Sequence, residues 1–278
     1  MKIINLLLVL AFFALQICHA QNKSAEAEKI FKKGFQLAED GYIDKGLMYM
    51  EEAMEMEPNN LGYAYEVAFI YTILERHDDA IEILEKLVKR KDTPDLVFQL
   101  LGNNYDWDGN PEKAIKTYNA GLKIFPNSGK LYLELGNMSV KKKDYKKAIE
   151  LYETGIKVEP YFPSNYYNAA SLQMTYGDKF LGLMYSEIFM NLERKSKRTV
   201  EASKGIYNFF KNSFDIKVDE VTGKTNIKIK YDATNDLMDK KDSVNGKSIF
   251  SGFMFLIYLT NYVKEESVIN YESLCRIR

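Results

Sequence analysis

The side chains that could do chemistry in this sequence are few and badly spaced for it. Its two histidines are His19 and His77, and its two cysteines are Cys18 and Cys275. The first of each pair lies in an N-terminal segment that reads as a cleavable leader, which leaves His77 and Cys275. One histidine cannot build a multi-histidine metal cage, and a Ser-His-Asp relay would have to run through His77. That residue sits in Glu75-Arg76-His77-Asp78-Asp79, which reads as an exposed turn. Cys275 has no partner in sight to activate its thiol. Thr222-Gly223-Lys224 lacks the preceding glycine framework of a phosphate loop. Asp106, Asp108 and Asn110 have the alternate spacing that opens a calcium loop. Pro111 stands where that loop needs glycine, however, and its closing glutamate is missing. Nothing singles out a carboxylate pair of the kind that cleaves glycosides. The inventory points away from an enzyme, and no cofactor or metal is expected.

The leader is the first twenty residues. Lys2 gives a positive start, Leu6 to Leu15 is unbroken and apolar, and Cys18-His19-Ala20 places small residues at the positions a signal peptidase inspects. Cleavage is expected after Ala20, so the mature protein is periplasmic or extracellular. Lipid attachment at Cys18 would need a small residue before it, and Ile17 is bulky. Loss of Lys2 leaves 37 of the 38 basic residues against 39 acidic ones. Such a near-neutral chain has no global field to gather nucleic acid or anionic lipid. With Cys18 gone no intramolecular disulfide is possible, so apolar burial must hold the fold. A composition 46% hydrophobic and 13% aromatic can do that.

The elements that carry these residues repeat. Leu101-Gly102-Asn103 falls on Leu135-Gly136-Asn137 after a shift of 34 residues. The same shift superposes Lys113-Ala114-Ile115 on Lys147-Ala148-Ile149, Tyr118 on Tyr152, Gly121 on Gly155 and Pro126 on Pro160, with no gap. Phe98, Leu101, Gly102 and Tyr105 are spaced i, i+3, i+4, i+7 along one helix face. Ala114, Tyr118 and Gly121 mark the buried face of a second helix, and Asp108-Gly109-Asn110-Pro111 is the turn between them. Small Gly102 and Ala114 let the two backbones approach, and Pro126 stops the second helix. One such hairpin cannot bury both its faces, so neighbours must stack on it.

This order of large residue, Leu-Gly, Tyr, Ala, aromatic, small residue and Pro resembles the tetratricopeptide repeat family. The resemblance covers 24–193, in repeats 27–60, 61–94, 95–128, 129–162 and a degenerate 163–193. In 61–94 the helix-ending proline is displaced to Pro94. The leader and repeats together resemble exported bacterial proteins of this family, of a Bacteroidetes type. The implied fold is all-α, an α-solenoid of about five hairpins. The implied activity is capture of a protein or peptide on the groove face of each first helix. Carried over position by position, that face holds Tyr65, Phe69, Thr72 and Ile73, then Gln99, Asn103, Asp106 and Trp107. Lys130, Leu133, Asn137 and Lys141 follow, and after them Tyr167, Ser171 and Met174. Asn103 and Asn137 occupy the place where an amide often grips a ligand's backbone, having both donor and acceptor. The same asparagines are common in repeats with no ligand. Trp107 is either an anchor in the groove or a cover over its own turn. Gln99 and Tyr167 stand where lysines would clamp a free carboxylate, so a C-terminal tail is not the expected ligand.

Beyond the repeats, 194–278 is expected to be a small helical region. Glu193 to Arg198 reads as a solvated helix start, followed by an amphipathic capping helix over Val200–Asn212. Phe214–Val218 and Ile227–Tyr231 alternate apolar and polar around Thr222-Gly223-Lys224, which predicts a β-hairpin. Ser248–Val263 is the densest apolar run, but it is interrupted and too short to span a membrane, so a buried helix is expected. The sequence thus predicts an exported scaffold. Its alternatives are a self-associating envelope protein, or an enzyme with its site in 214–278.

Overall fold

The structure, a computed structural model, describes residues 23–218 and 225–229. The leader with Cys18, the turn 219–224, the apolar run Ser248–Val263 and Cys275 lie outside the described residues. Eleven helices are present among those described, and they fall into two compact units divided after Pro126.

The first unit contains α1 (23–39), α2 (Ile43–Met56), α3 (Leu61–Ile73), α4 (His77–Leu87), α5 (Asp95–Trp107) and α6 (Pro111–Ile124). The second contains α7 (Gly129–Lys141), α8 (Tyr145–Val158), α9 (Pro163–Tyr176), α10 (Lys179–Leu192) and α11 (Lys197–Ser213). Strands β1 (Phe214–Val218) and β2 (Thr225–Ile229) follow, antiparallel, with Ile216 opposite Ile227.

The first helices of four hairpins, α1, α3, α5 and α7, are stopped by the same device; α9 ends instead on Gly177, which is not left-handed. Residues 41, 75, 109 and 143, spaced by the repeat, all have left-handed backbone: Gly41 at φ 89°, Glu75 at 58°, Gly109 at 78° and Lys143 at 60°. The next amide in each case reaches back to close the turn, Tyr42 to Leu37 O, Arg76 to Tyr71 O, Asn110 to Tyr105 O and Asp144 to Ser139 O. Orphan carbonyls at the helix end are thereby satisfied. Second helices start on Pro111 in α6 and on the Asp144 and Asp178 caps of α8 and α10. Pro94 does not end α4, as its position suggested. It is the N-cap of α5, and α4 is closed instead by the buried Thr93 hydroxyl donating to Leu87 O.

Helix pairs close over the small residues. A Cβ on Gly102 would run into the Tyr118 ring, and one on Gly136 into the Tyr152 ring. Where that ring is absent the crossing is built in two ways: the second hairpin has Ala68 and Leu84 at these positions, both buried, while the first keeps Gly34, which meets the backbone of Gly46 and the Met50 side chain. The cores are fully buried at Met50, Leu84, Tyr118, Tyr152 and Phe189. A polar ladder binds successive hairpins of the first unit. Tyr71 OH donates to Glu51 and, one repeat on, Tyr105 OH donates to Glu85. In the second unit Gln173 Nε2 makes the equivalent bond to Glu153, at 2.8 Å. Helix α11 caps α10, burying Ile206 and Phe210 against Phe180 and Phe189.

Candidate protein-docking faces

In the first unit α3 and the end of α5 leave large apolar side chains in solvent. Phe69 and Ile73, one turn apart on α3, are 41% and 50% exposed, and Trp107 at the end of α5 is 54% exposed. Tyr65, Gln99, Asn103 and Asp106 lie beside them, half-buried. Trp107 stands 5.8 Å from the ring of His77, centroid to centroid. The indole therefore leans on the turn of the preceding hairpin while most of it stays in solvent.

His77 is not the exposed turn residue that its neighbours suggested. It opens α4, is half-buried, and its Nδ1 lies 3.0 Å from Asn104 Oδ1. Asn104 is fully buried and was not singled out by the sequence. Its Nδ2 donates to Thr72 Oγ1 at 2.8 Å and to Leu100 O at 2.9 Å. A buried amide needs this full set of partners. The signal for it was thin: a second asparagine directly after Asn103, where other repeats carry Ile70 or Met138.

Asn103 and Asn137, half-exposed, each spend their acceptor within their own hairpin. Tyr118 OH donates to Asn103 Oδ1 at 2.7 Å, and Tyr152 OH to Asn137 Oδ1 at 2.8 Å. Asn137 Nδ2 donates to Glu134 at 2.9 Å. Burial pushes the Tyr152 phenol far up, so it stays a donor. These amides orient phenols that cross the hairpin, a role that spacing alone did not reveal.

In the second unit Lys130 and Asn137 are half-exposed and Lys141 fully so. Leu133 is not on the open face: it is buried against Ala148, Tyr152 and Ala169, because α9 packs across α7 and α8 at that point. Tyr167 and Ser171 do come together, with Met174, Phe189, Ala202 and Gly205, around a cavity of about 230 Å³. Tyr167 OH donates to Glu201 at 2.5 Å, and burial with that carboxylate pushes the phenol up to about 12. Arg198, in the charged junction, is a staple between elements. It binds Glu193 and donates to Ser164 Oγ at 3.0 Å, and its hydrogen bonds to Glu193 hold that carboxyl below its usual range.

Among the described residues no group of three or more His, Cys, Asp or Glu could hold a metal ion. No described helix is long and apolar enough to cross a membrane.

The tetratricopeptide repeat profile matches residues 61–94 and 129–162, one repeat in each unit. A thermophilic TPR protein of Thermus thermophilus superposes with a TM-score of 0.53 at 18% identity, over 65% of this chain and 99% of that one. Pseudomonas aeruginosa PilF does so at 0.55 and 15% identity, over 69% and 87%. PilW, a widely conserved type IV pilus biogenesis factor, scores 0.50 at 15% identity over 66% and 86%. No curated protein matches the chain in sequence. The chain therefore carries tetratricopeptide repeats, in a fold of helical hairpins shared with solved proteins of that architecture. Repeats of this kind generally mediate protein–protein interaction.

Proposed function

We propose that the protein is an exported, non-catalytic scaffold that holds a protein or peptide partner on the open faces of its first helices. The observation that carries this reading is the row of large apolar side chains left in solvent: Phe69, Ile73 and Trp107. Contiguous exposed apolar surface is uncommon on soluble proteins and marks interaction sites. Aromatic side chains are also the residues that dominate interface energetics. Polar Gln99, Asn103 and Asp106 border them, and in the second unit Lys130, Asn137, Lys141, Tyr167 and Ser171 continue the candidate set. Leu133 drops out because it is core. The cavity beside Tyr167 and Ser171 is of a size to take one partner side chain rather than a small-molecule ligand, for which pockets run to several hundred Å³. Export rests on Lys2, the Leu6–Leu15 run and Cys18-His19-Ala20, and places the scaffold in the periplasm or outside the cell.

Affinity capture from envelope extract tests the reading. Phe69→Ala/Trp107→Ala should lose the partner that the unaltered protein retains, with an unchanged circular dichroism spectrum. Equal capture by both would refute it.

A further inference from the structure

The exposed apolar face of the first unit has an electrostatic sign of its own. Helices α3 and α5, which present Phe69, Ile73 and Trp107, contain no lysine or arginine, while Glu66, Asp95 and Asp106 are theirs. Ile73 and Trp107 are the last residues of those helices, so the apolar surface runs directly into the turns. The three turn segments 39–45, 75–79 and 106–113 carry nine acidic and three basic residues. Two of the three bases are committed: Arg76 to Asp79 at 2.7 Å, and Lys113 over the Tyr105 ring at 5.1 Å. The corresponding turn of the second unit, 141–147, is opposite, with five lysines and one aspartate. Half-buried Glu66 adds to the argument: burial pushes its carboxyl up, and an arriving cation would favour its charged form.

An apolar stripe ending on an acidic rim is complementary to one kind of partner segment. We propose that the α3–α5 face of the first unit binds a cationic amphipathic segment of the partner protein, with its apolar side chains over Phe69, Ile73 and Trp107 and its lysines or arginines at the acidic turns. This rests on the scaffold reading above and names the chemistry of the partner. Opposite charges at the rim steer encounter and fix orientation, while buried apolar anchors hold the complex.

Trp107 is the only tryptophan in the chain, so its emission reports occupancy of this face directly. The probe is a helix-forming peptide of leucine and lysine, about 18 residues long so that it spans several turns, with a twin in which glutamate replaces every lysine. Titrating the purified protein with the lysine peptide should shift Trp107 emission to the blue, saturably, and the twin should not. Phe69→Ala/Ile73→Ala should weaken the lysine peptide by about tenfold, the equivalent of a lost anchor. Glu75→Lys/Asp78→Lys, which installs the residues that the second unit already carries as Lys143 and Lys146, should weaken it at least as much at low salt and little at high salt. No blue shift with the lysine peptide, an equal response to the twin, or unchanged binding by both variants would overturn the proposal. If the peptide leaves Trp107 unmoved while Phe69→Ala/Trp107→Ala still loses its envelope partner, the cationic assignment fails and the scaffold reading stands.

Discussion

Tyr118 and Tyr152 each send a phenol from the second helix of a hairpin to an asparagine on the first, and this bond changes what the asparagines mean. Removing Asn103 or Asn137 leaves a buried hydroxyl without its acceptor. Asn103→Ala/Asn137→Ala should therefore lower the thermal midpoint, each site costing about 1–3 kcal/mol by the usual penalty for an orphaned buried donor. Tyr118→Phe/Tyr152→Phe should cost less, because it removes donor and need together. Denaturant melts of the two double variants separate these outcomes. A second residue-scale effect concerns alkaline pH. Burial first, and then the Glu51 and Glu85 carboxylates, push the Tyr71 and Tyr105 phenols from 10.0 up to about 12. A pKa raised in the folded state means stability that is complete below pH 10 and is lost as pH climbs from 10 towards 12. The thermal midpoint should fall over that interval, and Tyr71→Phe/Tyr105→Phe should flatten the fall.

Among the elements, the hairpin turn and the helix crossing make separate predictions. Lys143 holds the left-handed conformation that Gly41 and Gly109 adopt without strain. Lys143→Gly should raise stability by about 1 kcal/mol, the approximate cost of that conformation for a residue with a Cβ, read from a denaturant midpoint. Gly136→Ala should do the reverse by about 1–3 kcal/mol, since the added methyl meets the Tyr152 ring. Adding Tyr152→Leu, which recreates the Ala68 and Leu84 pairing of another hairpin, should recover much of the loss. The 34-residue period, the small residues at the crossings and the glycine-marked turn at Asp108–Pro111 were legible because each depends on residue type at fixed local spacing. Other features were not. Glu75 and Lys143 hide two of the left-handed turns, and no glycine marks them. The burial of Leu133 depends on α9, a neighbour in space that the α7 pattern does not mention. The tyrosine-to-glutamate ladder, from Glu51 to Tyr71 and from Glu85 to Tyr105, joins separate hairpins. Its 20-residue offset within the period shows only once the stack is known.

For the molecule as a whole, two units of stacked hairpins leave the open faces of their first helices as the surface on which the proposed function depends. Their composition differs: aromatic and acid-rimmed in the first unit, lysine-bearing in the second. Of the candidate residues read from the sequence, Phe69 and Trp107 were placed in solvent, the asparagines were drawn into their hairpins, and Leu133 was lost to the core. The face was legible as a set of repeat positions, but the roles of its members depend on cross-hairpin contacts. The measurement that tests the central claim most directly is site-specific photo-crosslinking in living cells. A photoreactive residue is placed in turn at positions 69, 107 and 137 on first helices, and at exposed Lys86 and Lys157 on second helices. A common partner captured from 69 and 107, and absent from 86 and 157, is the predicted result. Capture from the second-helix positions alone would contradict it.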